Sequence, residues 1–191
     1  MGPLRIRCVN NLKQTALAVR MWEGDNSDKY PPQVPTTNGG TMEYITGPNS
    51  WRHFQVMSNY LRTPILVFCP EESDRDRICA NTFDIARRPD EIQFLSNSNL
   101  SFFFGVDATE TNPASILAGD HNLTNGLSLK NGILEVTTHR PTGWTKAMHR
   151  TYGNIALSDG SVRQVYATNL QVLFANSGLA TNRLQMPILG P

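Results

Sequence analysis

The chain opens with an amphipathic pattern over residues 4–23, where apolar side chains recur three or four positions apart and polar ones fall largely on the other face. This period predicts a helix that packs one face on the rest of the fold. The helix is roughly 30 Å long at 1.5 Å per residue, and Gly24 ends it. Leu4 already stands in helical register, and no capping residue precedes it. We therefore expect the natural helix to begin upstream of Leu4, with residues 1–3 not part of the native sequence. The stripe consists of Cys8, Leu12, Ala16 and Val19.

Residues 24–98 carry a more varied pattern. Three prolines between residues 31 and 35 exclude a helix or a central strand there. A second apolar stripe at helical spacing, over residues 51–61, predicts another helix. The apolar run 65–69 predicts a short strand, which Pro70 stops.

From residue 99 onward the pattern changes to that of strands and turns. Asn131-Gly132 and Asp159-Gly160 are turn signals, and each predicts a β-hairpin, with Asp-Gly in a type I′ turn. The paired segments are 127–130 with 133–138, and 154–158 with 161–166. Further predicted elements are strands at 100–106 and 115–118 and a final helix at 169–177. The whole pattern predicts an α+β fold, a long N-terminal helix on an antiparallel sheet with a short C-terminal helix.

The composition narrows the class of protein. Apolar residues make up 39% of the 191 residues and charged residues 17%, with 14 glycines and 12 prolines, which argues against a helical bundle or a coiled coil. The net charge of +1 argues against nucleic-acid binding through a basic surface. No apolar run approaches the roughly 18 residues that a membrane span needs. We therefore expect a single near-neutral domain over residues 1–191, with 24–98 as a variable helix and loop region and 99–191 as the sheet region.

The three cysteines leave the pairing open. In an oxidising compartment, one pair of Cys8, Cys69 and Cys79 forms a disulfide and one thiol remains. Cys69 and Cys79 flank one short polar stretch, so we expect that pair first and Cys8–Cys69 second. Three reduced thiols packed in the core are the alternative. No Cys/His spacing in the sequence indicates a zinc site.

Candidate catalytic residues are few. Asp120-His121 follows a predicted strand, where active residues often sit, although such residues also form turns. A simple hairpin with its tip at Asp159 keeps that residue far from His149, because residues 154–158 alone span about 17 Å. We therefore expect that His149 and Asp159 share no metal. Asp159-Gly160 is interpreted as a turn, and His149 as a hydrogen-bonding residue where its strand begins.

Two other polar features have a bland and a functional interpretation. Asp25, Ser27 and Asp28 offer oxygens to calcium in a loop without an EF-hand pattern, whereas capping and solvation account for them equally. His53 stands beside Trp51 on a predicted helix, and we expect it to be a surface or half-packed side chain.

Several short motifs stand in order along the chain, from Arg7–Gln14 through Cys69-Pro70 and Gly119-Asp120 to His149 and Asp159-Gly160. Together they resemble those of bacterial type IV pilin-like proteins, above all the prepilin-type, type II secretion pseudopilin-like group. The group's C-terminal mark is a histidine, nine residues and Asp-Gly, present here as His149 and Asp159-Gly160. The matches run in order from residue 5 to Pro187. The residues that carry the resemblance are Cys8, Asn10, Asn11, Leu12, Lys13, Gln14, Cys69, Pro70, Gly119, Asp120, His149, Asp159 and Gly160.

The resemblance implies a pilin-like fold and a structural, non-enzymatic subunit of a type II secretion or type IV pilus-like assembly. The full-length protein would carry a basic leader, cut and N-methylated by a prepilin peptidase. An apolar helix of about 20 residues would then hold it in the inner membrane, with this domain periplasmic or extracellular. Its partners would be other pilin-like subunits, bound through the N-terminal helix, and the secretion platform of the inner membrane, with no nucleic acid. No cofactor is implied, and the calcium of some major pseudopilins maps to no residue here.

Two other functions stay open at this point. A periplasmic or surface binding module on a pilin-like anchor would use exposed aromatic side chains at Trp22, Trp51 and Trp144, which core packing explains equally well. A hydrolase would use Asp120, His121 and His149, and would place Asp120 within hydrogen-bond reach of a histidine in a cleft.

Overall fold

The computed structural model describes residues 2–84, 88–149 and 151–190, and its fold is α+β. The helices are α1 (Pro3–Gly24), α2 (Trp51–Gln55), α3 (Ser58–Leu61) and α4 (Ala167–Asn176), with short 3-10 helices in the connections. The strands are β1 (Phe102–Gly105), β2 (Ile116–Asp120), β3 (Leu123–Thr124), β4 (Ile133–Thr137), β5 (Gly143–Trp144), β6 (Tyr152–Leu157), β7 (Val162–Tyr166) and β8 (Thr181–Gln185). None of the helices in these ranges has both the length and the apolar character that crossing a bilayer requires.

Within the described residues, six strands form one antiparallel sheet in the order β4-β8-β1-β2-β6-β7. Strands β3 and β5 form a separate pair beside it. The long N-terminal helix, the antiparallel sheet and the short C-terminal helix are therefore confirmed. Strand β8, which lies between β1 and β4, was missing from the prediction.

The sheet lies between two apolar layers, and alternate side chains of each strand enter opposite layers. Phe102 and Phe104 of β1 join the apolar stripe of α1 in one layer. Phe103 joins Leu170 and Phe174 of α4 in the other layer. Because both faces are covered, strands β1, β2 and β6 are buried along their whole length. Polar side chains at the ends of these strands consequently lie in the interior.

Helix α1 is fastened to the hairpin of β6 and β7 near both of its ends. At one end, the Arg5 guanidinium lies 5.0 Å from the centre of the Tyr152 ring and 3.6 Å from the Glu71 carboxylate. At the other end, Arg20 donates from Nη1 to the carbonyl oxygen of Asp159 at 3.0 Å. Between these points the predicted stripe from Cys8 to Val19 is buried. These contacts hold the helix lengthwise on the sheet.

The middle of the chain departs from its predicted elements. Residues 51–61 form α2 and α3 rather than one helix. The predicted strand over residues 65–69 is wrong, because Pro64–Val67 forms a 3-10 helix. The carbonyl oxygens of Ile65 and Leu66 accept from side chains of α1, and that of Val67 accepts the Ser101 N–H in a single backbone bond rather than a ladder. The run is apolar because it packs under α1, not because it pairs in a sheet.

Of the two predicted hairpins, the one over residues 154–166 is confirmed as β6 and β7. Its turn is not type I′, since only Gly160 has a positive φ and the Asp159 side chain accepts a hydrogen bond from the Ser161 N–H. The hairpin of 127–130 with 133–138 is wrong. Asn131 and Gly132 do form a tight turn, but it is closed by the single bridge Lys130–Ile133, and β4 pairs with β8 instead.

His53 was expected at the surface or half packed, and it is fully buried. Its Nε2 lies 2.6 Å from the side-chain oxygen of Gln185, whose amide nitrogen donates to the carbonyl of Tyr44. The imidazole Nε2–H therefore donates to Gln185, and Nδ1 accepts from the hydroxyl of Thr41 at 2.6 Å. Burial lowers the pKa of His53 to about 4, with the Gln185 hydrogen bond acting in the opposite direction. The neutral ring connects the middle segment to β8.

This burial predicts a loss of stability in acid. The unfolded chain takes up a proton on His53 near pH 6.5, while the folded chain does so only near pH 4. The stability that depends on a neutral His53 is therefore fully present above pH 6.5, the pKa in the unfolded chain. It is lost as the pH falls toward about 4, the pKa in the folded chain. We expect it to lower the free energy of unfolding by about 3 kcal/mol between about pH 7 and pH 4. Urea denaturation of wild type and His53→Gln at several pH values in this range measures the effect. An equal dependence of the free energy of unfolding on pH in both proteins would contradict the prediction.

Candidate functional site

A disulfide joins helix α1 to the segment after the Pro64–Val67 turn. It links Cys8 to Cys69, with their Cα atoms 4.9 Å apart, and Cys79 is a half-buried free thiol. The expected Cys69–Cys79 pair is therefore wrong, and the second choice is the observed one. Closeness in sequence is a poor guide here. Cys69 faces α1, whereas Cys79 follows Ile78, whose backbone N–H donates to the Ser98 carbonyl in another part of the molecule.

The motif residues of α1 divide between those that dock the helix and those that do not. Asn11 donates from Nδ2 to the carbonyls of Ile65 and Phe68, at 3.2 and 2.8 Å. Thr15 donates to the carbonyl of Leu66 at 3.0 Å. These bonds satisfy the carbonyls of the 3-10 turn and bring Cys69 under the helix. Of the other motif residues, Leu12 is in the core, Asn10, Lys13 and Gln14 are exposed, and Pro70 is half-buried.

The disulfide belongs to a largely buried group of residues, here called the His149 cluster. Its members are Cys8, Cys69, Glu71, Asp120, His149 and Asn154. His149 Nδ1 lies 2.6 Å from the Glu71 carboxylate. His149 Nε2 lies 3.3 Å from Asp120 Oδ2 and 3.4 Å from Cys69 Sγ. The imidazole ring is completely enclosed and stacks on Tyr152. It therefore links α1, the Cys-Pro segment (Cys69 and Pro70) and the sheet.

Asp120 lies at the end of β2 and is fully buried. Its Oδ2 accepts the backbone N–H of Asn154 at 2.7 Å and the side-chain Nδ2–H at 2.9 Å. Burial raises the pKa of Asp120 to about 6, against the lowering effect of His149 and the Asn154 bonds. Gly119 beside it must lack a side chain, because a Cβ there would lie 2.8 Å from the Asn154 carbonyl oxygen. The motif pair Gly119-Asp120 thus serves close packing of β2 on β6.

The spacing from His149 to Asp159-Gly160 is explained by strand β6. His149 lies just before the strand, in a left-handed backbone conformation with φ of 48°. Asp159 and Gly160 form the turn at the other end, where Arg20 binds. The prediction that His149 and Asp159 share no metal agrees with this placement at opposite ends of the strand. The two halves of the motif hold the two ends of α1.

The predicted pair Asp120-His121 is not brought together as an acid–base pair. His121 binds the Glu72 carboxylate at 2.9 Å, and Ser101 donates to the same oxygen at 2.8 Å. Burial would raise the pKa of Glu72, but its bond to His121 and that residue's charge outweigh burial and lower it. Asp120 meets His149 instead, and both are buried, although His149 also contributes to the wall of a cleft that Asp120 does not line. No hydroxyl or free thiol of the described residues is hydrogen-bonded to that pair.

Two members of the cluster were missed by sequence reasoning. Glu71 holds the outer nitrogen of His149, and its only signal was its position two residues after Cys69. Asn154 holds Asp120 and had been treated only as part of a strand. A cleft of about 540 Å³, lined partly by Arg5, Glu71 and Lys146, leads to the edge of the cluster.

Within the described residues, one group of three His, Cys, Asp or Glu side chains has a geometry that could hold a metal: Cys8, Cys69 and His149. The proposed calcium loop is not supported in the same way, because Asp25 accepts a hydrogen bond from the Tyr60 hydroxyl at 2.6 Å. Since the three ligands come from distant parts of the chain, no local spacing could reveal them.

Comparison of the chain with protein-family models, with curated proteins and with solved structures finds no match. The site must therefore be interpreted from its own geometry.

Proposed function

We propose that the chain is a structural, non-enzymatic subunit of a pilin-like assembly of the type II secretion or type IV pilus kind, and that α1 is the helix through which subunits meet. The observation that carries this proposal is the two-sided character of α1. One face is fixed to the sheet by a disulfide, by Asn11 and Thr15, and by arginines near both ends. The opposite face carries apolar side chains that the described residues leave about half exposed.

The uncovered residues are Ile6, Leu17 and Met21, which are 47%, 50% and 51% exposed. At 100° per residue they fall within about 60° of one another, and their mean direction is about 150° from that of Cys8, Leu12 and Ala16. A stripe of this kind along a helix is suited to packing against a second helix. In the assembly we propose, that helix belongs to a neighbouring subunit.

The same proposal includes a full-length protein that a prepilin peptidase processes and that the inner membrane anchors, with this domain on the outer side. Other pilin-like subunits and the secretion platform are its partners. The alternative of an aromatic binding surface loses its main residues, because Trp22 and Trp51 are buried. Trp144 packs on Gly153 and donates from Nε1 to the Val165 carbonyl at 2.9 Å.

Cysteine cross-linking tests the role of α1. In cells that make the full-length gene product with Cys79 changed to serine, mild oxidation of Leu17→Cys is expected to give covalent dimers. Val172→Cys is the matched control, since it is 61% exposed but lies on α4 at the far side of the sheet. Equal yields from both positions, or none from Leu17→Cys, would contradict assembly through α1.

The reading frame upstream of Leu4 gives a second test. A basic leader followed by about 20 apolar residues would support the pilin-like assignment. A natural gene that encodes neither would overturn it.

A further inference from the structure

The disulfide and His149 bring three metal-binding atoms together in the interior. Cys8 Sγ, Cys69 Sγ and the ligand nitrogen of His149 all lie within 4.8 Å of one another. All three residues are buried. In the disulfide form the sulfurs are bonded to each other and are unable to bind a metal as thiolates. In the dithiol form they would be two soft ligands beside an imidazole.

The orientation of His149 is that of a metal ligand. Its Nδ1–H donates to the Glu71 carboxylate at 2.6 Å, so that in a metal-bound state Nε2, which also lies 3.3 Å from Asn154 Nδ2, would supply the electron pair. Nε2 faces Cys69 Sγ at 3.4 Å. Histidines that bind metals commonly donate their other ring N–H to a carboxylate, which fixes the tautomer and the direction of the ring. Glu71 supplies that carboxylate here.

A buried carboxylate lies beside His149, outside the group of three residues whose ligand atoms are all within 4.8 Å of one another. Asp120 Oδ2 lies 3.3 Å from His149 Nε2, and its Oδ1 has no hydrogen-bond partner among the described residues although it is buried. Both separations, 3.3 Å to oxygen and 3.4 Å to sulfur, are close to those between neighbouring ligands of a tetrahedral ion. Two thiolates, one imidazole and one carboxylate form a donor set that suits Zn²⁺.

We propose that the dithiol form of this protein binds one Zn²⁺ through Cys8, Cys69 and His149, with Asp120 as the fourth ligand. Reduction by a dithiol breaks the S–S bond and transfers two electrons and two protons, which yields two thiols and an oxidised dithiol. Binding of Zn²⁺ then releases the two thiol protons to solvent. The disulfide and the metal are mutually exclusive, because each uses the same two sulfurs.

Formation of the site requires only a local movement. Two Zn–S bonds of about 2.3 Å at the tetrahedral angle place the two sulfurs about 3.8 Å apart. Compared with the covalent S–S bond, the sulfur atoms therefore move apart by about 2 Å. The cleft lined by Glu71 and Lys146 reaches the cluster and gives the ion a route to His149. In either form α1 stays joined to the Cys-Pro segment, covalently or through the ion.

Cobalt titration of the refolded dithiol protein tests the site. The chain with Cys79→Ser is reduced with a phosphine in denaturant, refolded without oxygen, checked for its fold by circular dichroism, and titrated with Co²⁺. We expect one Co²⁺ per chain, a thiolate-to-cobalt charge-transfer band, and the visible bands of a four-coordinate ion, all removed by one equivalent of Zn²⁺. The disulfide form is expected to give none of these signals.

Variants separate this site from adventitious binding. His149→Asn abolishes the four-coordinate spectrum, whereas His139→Asn, at an exposed histidine, leaves it unchanged. Glu71→Gln keeps all the ligands and is expected to weaken affinity about 10- to 100-fold. Zn²⁺ also raises the melting temperature of the dithiol protein but not that of the disulfide form. A folded dithiol protein without the charge-transfer band, or an unchanged spectrum in a folded His149→Asn variant, would overturn the proposal.

Discussion

Replacing Cys8 and Cys69 together with alanine is expected to lower the free energy of unfolding by about 4 kcal/mol. The disulfide spans a sequence separation of 61, and closing a loop of that size removes a large amount of conformational entropy from the unfolded chain. Both residues are also completely buried, so that the alanines leave small voids in the layer beneath α1. Urea denaturation at neutral pH, with metal ions removed by a chelator, gives the value.

Cys79→Ala is the control for this experiment, since Cys79 forms no disulfide and is only half-buried. It should change the free energy of unfolding by less than about 1 kcal/mol. A similar loss in the control and in the double variant would show that truncation, not the covalent link, determines the effect. A loss below about 1 kcal/mol in the double variant would mean that the link constrains the unfolded chain very little.

His149→Asn is expected to cost about 3–5 kcal/mol in the disulfide form. The ring is bound on one side to Glu71 and on the other faces Asp120, which is fully buried. Removing the ring leaves Asp120 with Asn154 as its remaining partner and leaves a void against Tyr152. Asparagine is the substitution of choice because it tolerates the left-handed backbone found at this position.

A second variant identifies the cause of this loss. If the uncompensated carboxylate accounts for it, Asp120→Asn combined with His149→Asn should recover about 1 kcal/mol or more relative to His149→Asn alone. Because Asp120 and His149 are in contact, their effects are not expected to add. Additive losses would indicate that the two side chains act independently and that the cluster is not one network.

The parts of the fold that sequence predicted are those in which local pattern and burial agree. The buried face of helix α1 matches the predicted stripe from Cys8 to Val19. The β6–β7 hairpin has alternating residues around an Asp-Gly turn. In contrast, the apolar run 65–69 contributes Val67 and Cys69 to the core beside α1, and apolar character alone does not distinguish a strand from a packed turn. Strand β8 has the mixed sequence TNRLQ, and only its position between β1 and β4 makes it a strand.

The candidate site could be predicted only in outline. His149 and Asp120 were singled out by motif and by position, but their partners were not, because Glu71 and Asn154 reach them through tertiary contacts. The preferred disulfide was wrong for the same reason: the docking of α1, not the number of intervening residues, selects Cys8 for Cys69. His53 shows the limit in another way, since its burial depends on Gln185, far along the chain.

The position of the disulfide also determines how the domain responds to mechanical force. Tension applied at the N-terminal end of α1 passes from Cys8 directly to Cys69 through a covalent bond. Residues 9–68 lie inside the loop that this bond closes, so the roughly 200 Å of chain that they could extend cannot be drawn out. The force reaches the sheet through the segment that follows Cys69. The bond therefore makes α1 a covalent handle on the rest of the domain, one that persists even after its noncovalent contacts with the sheet are broken.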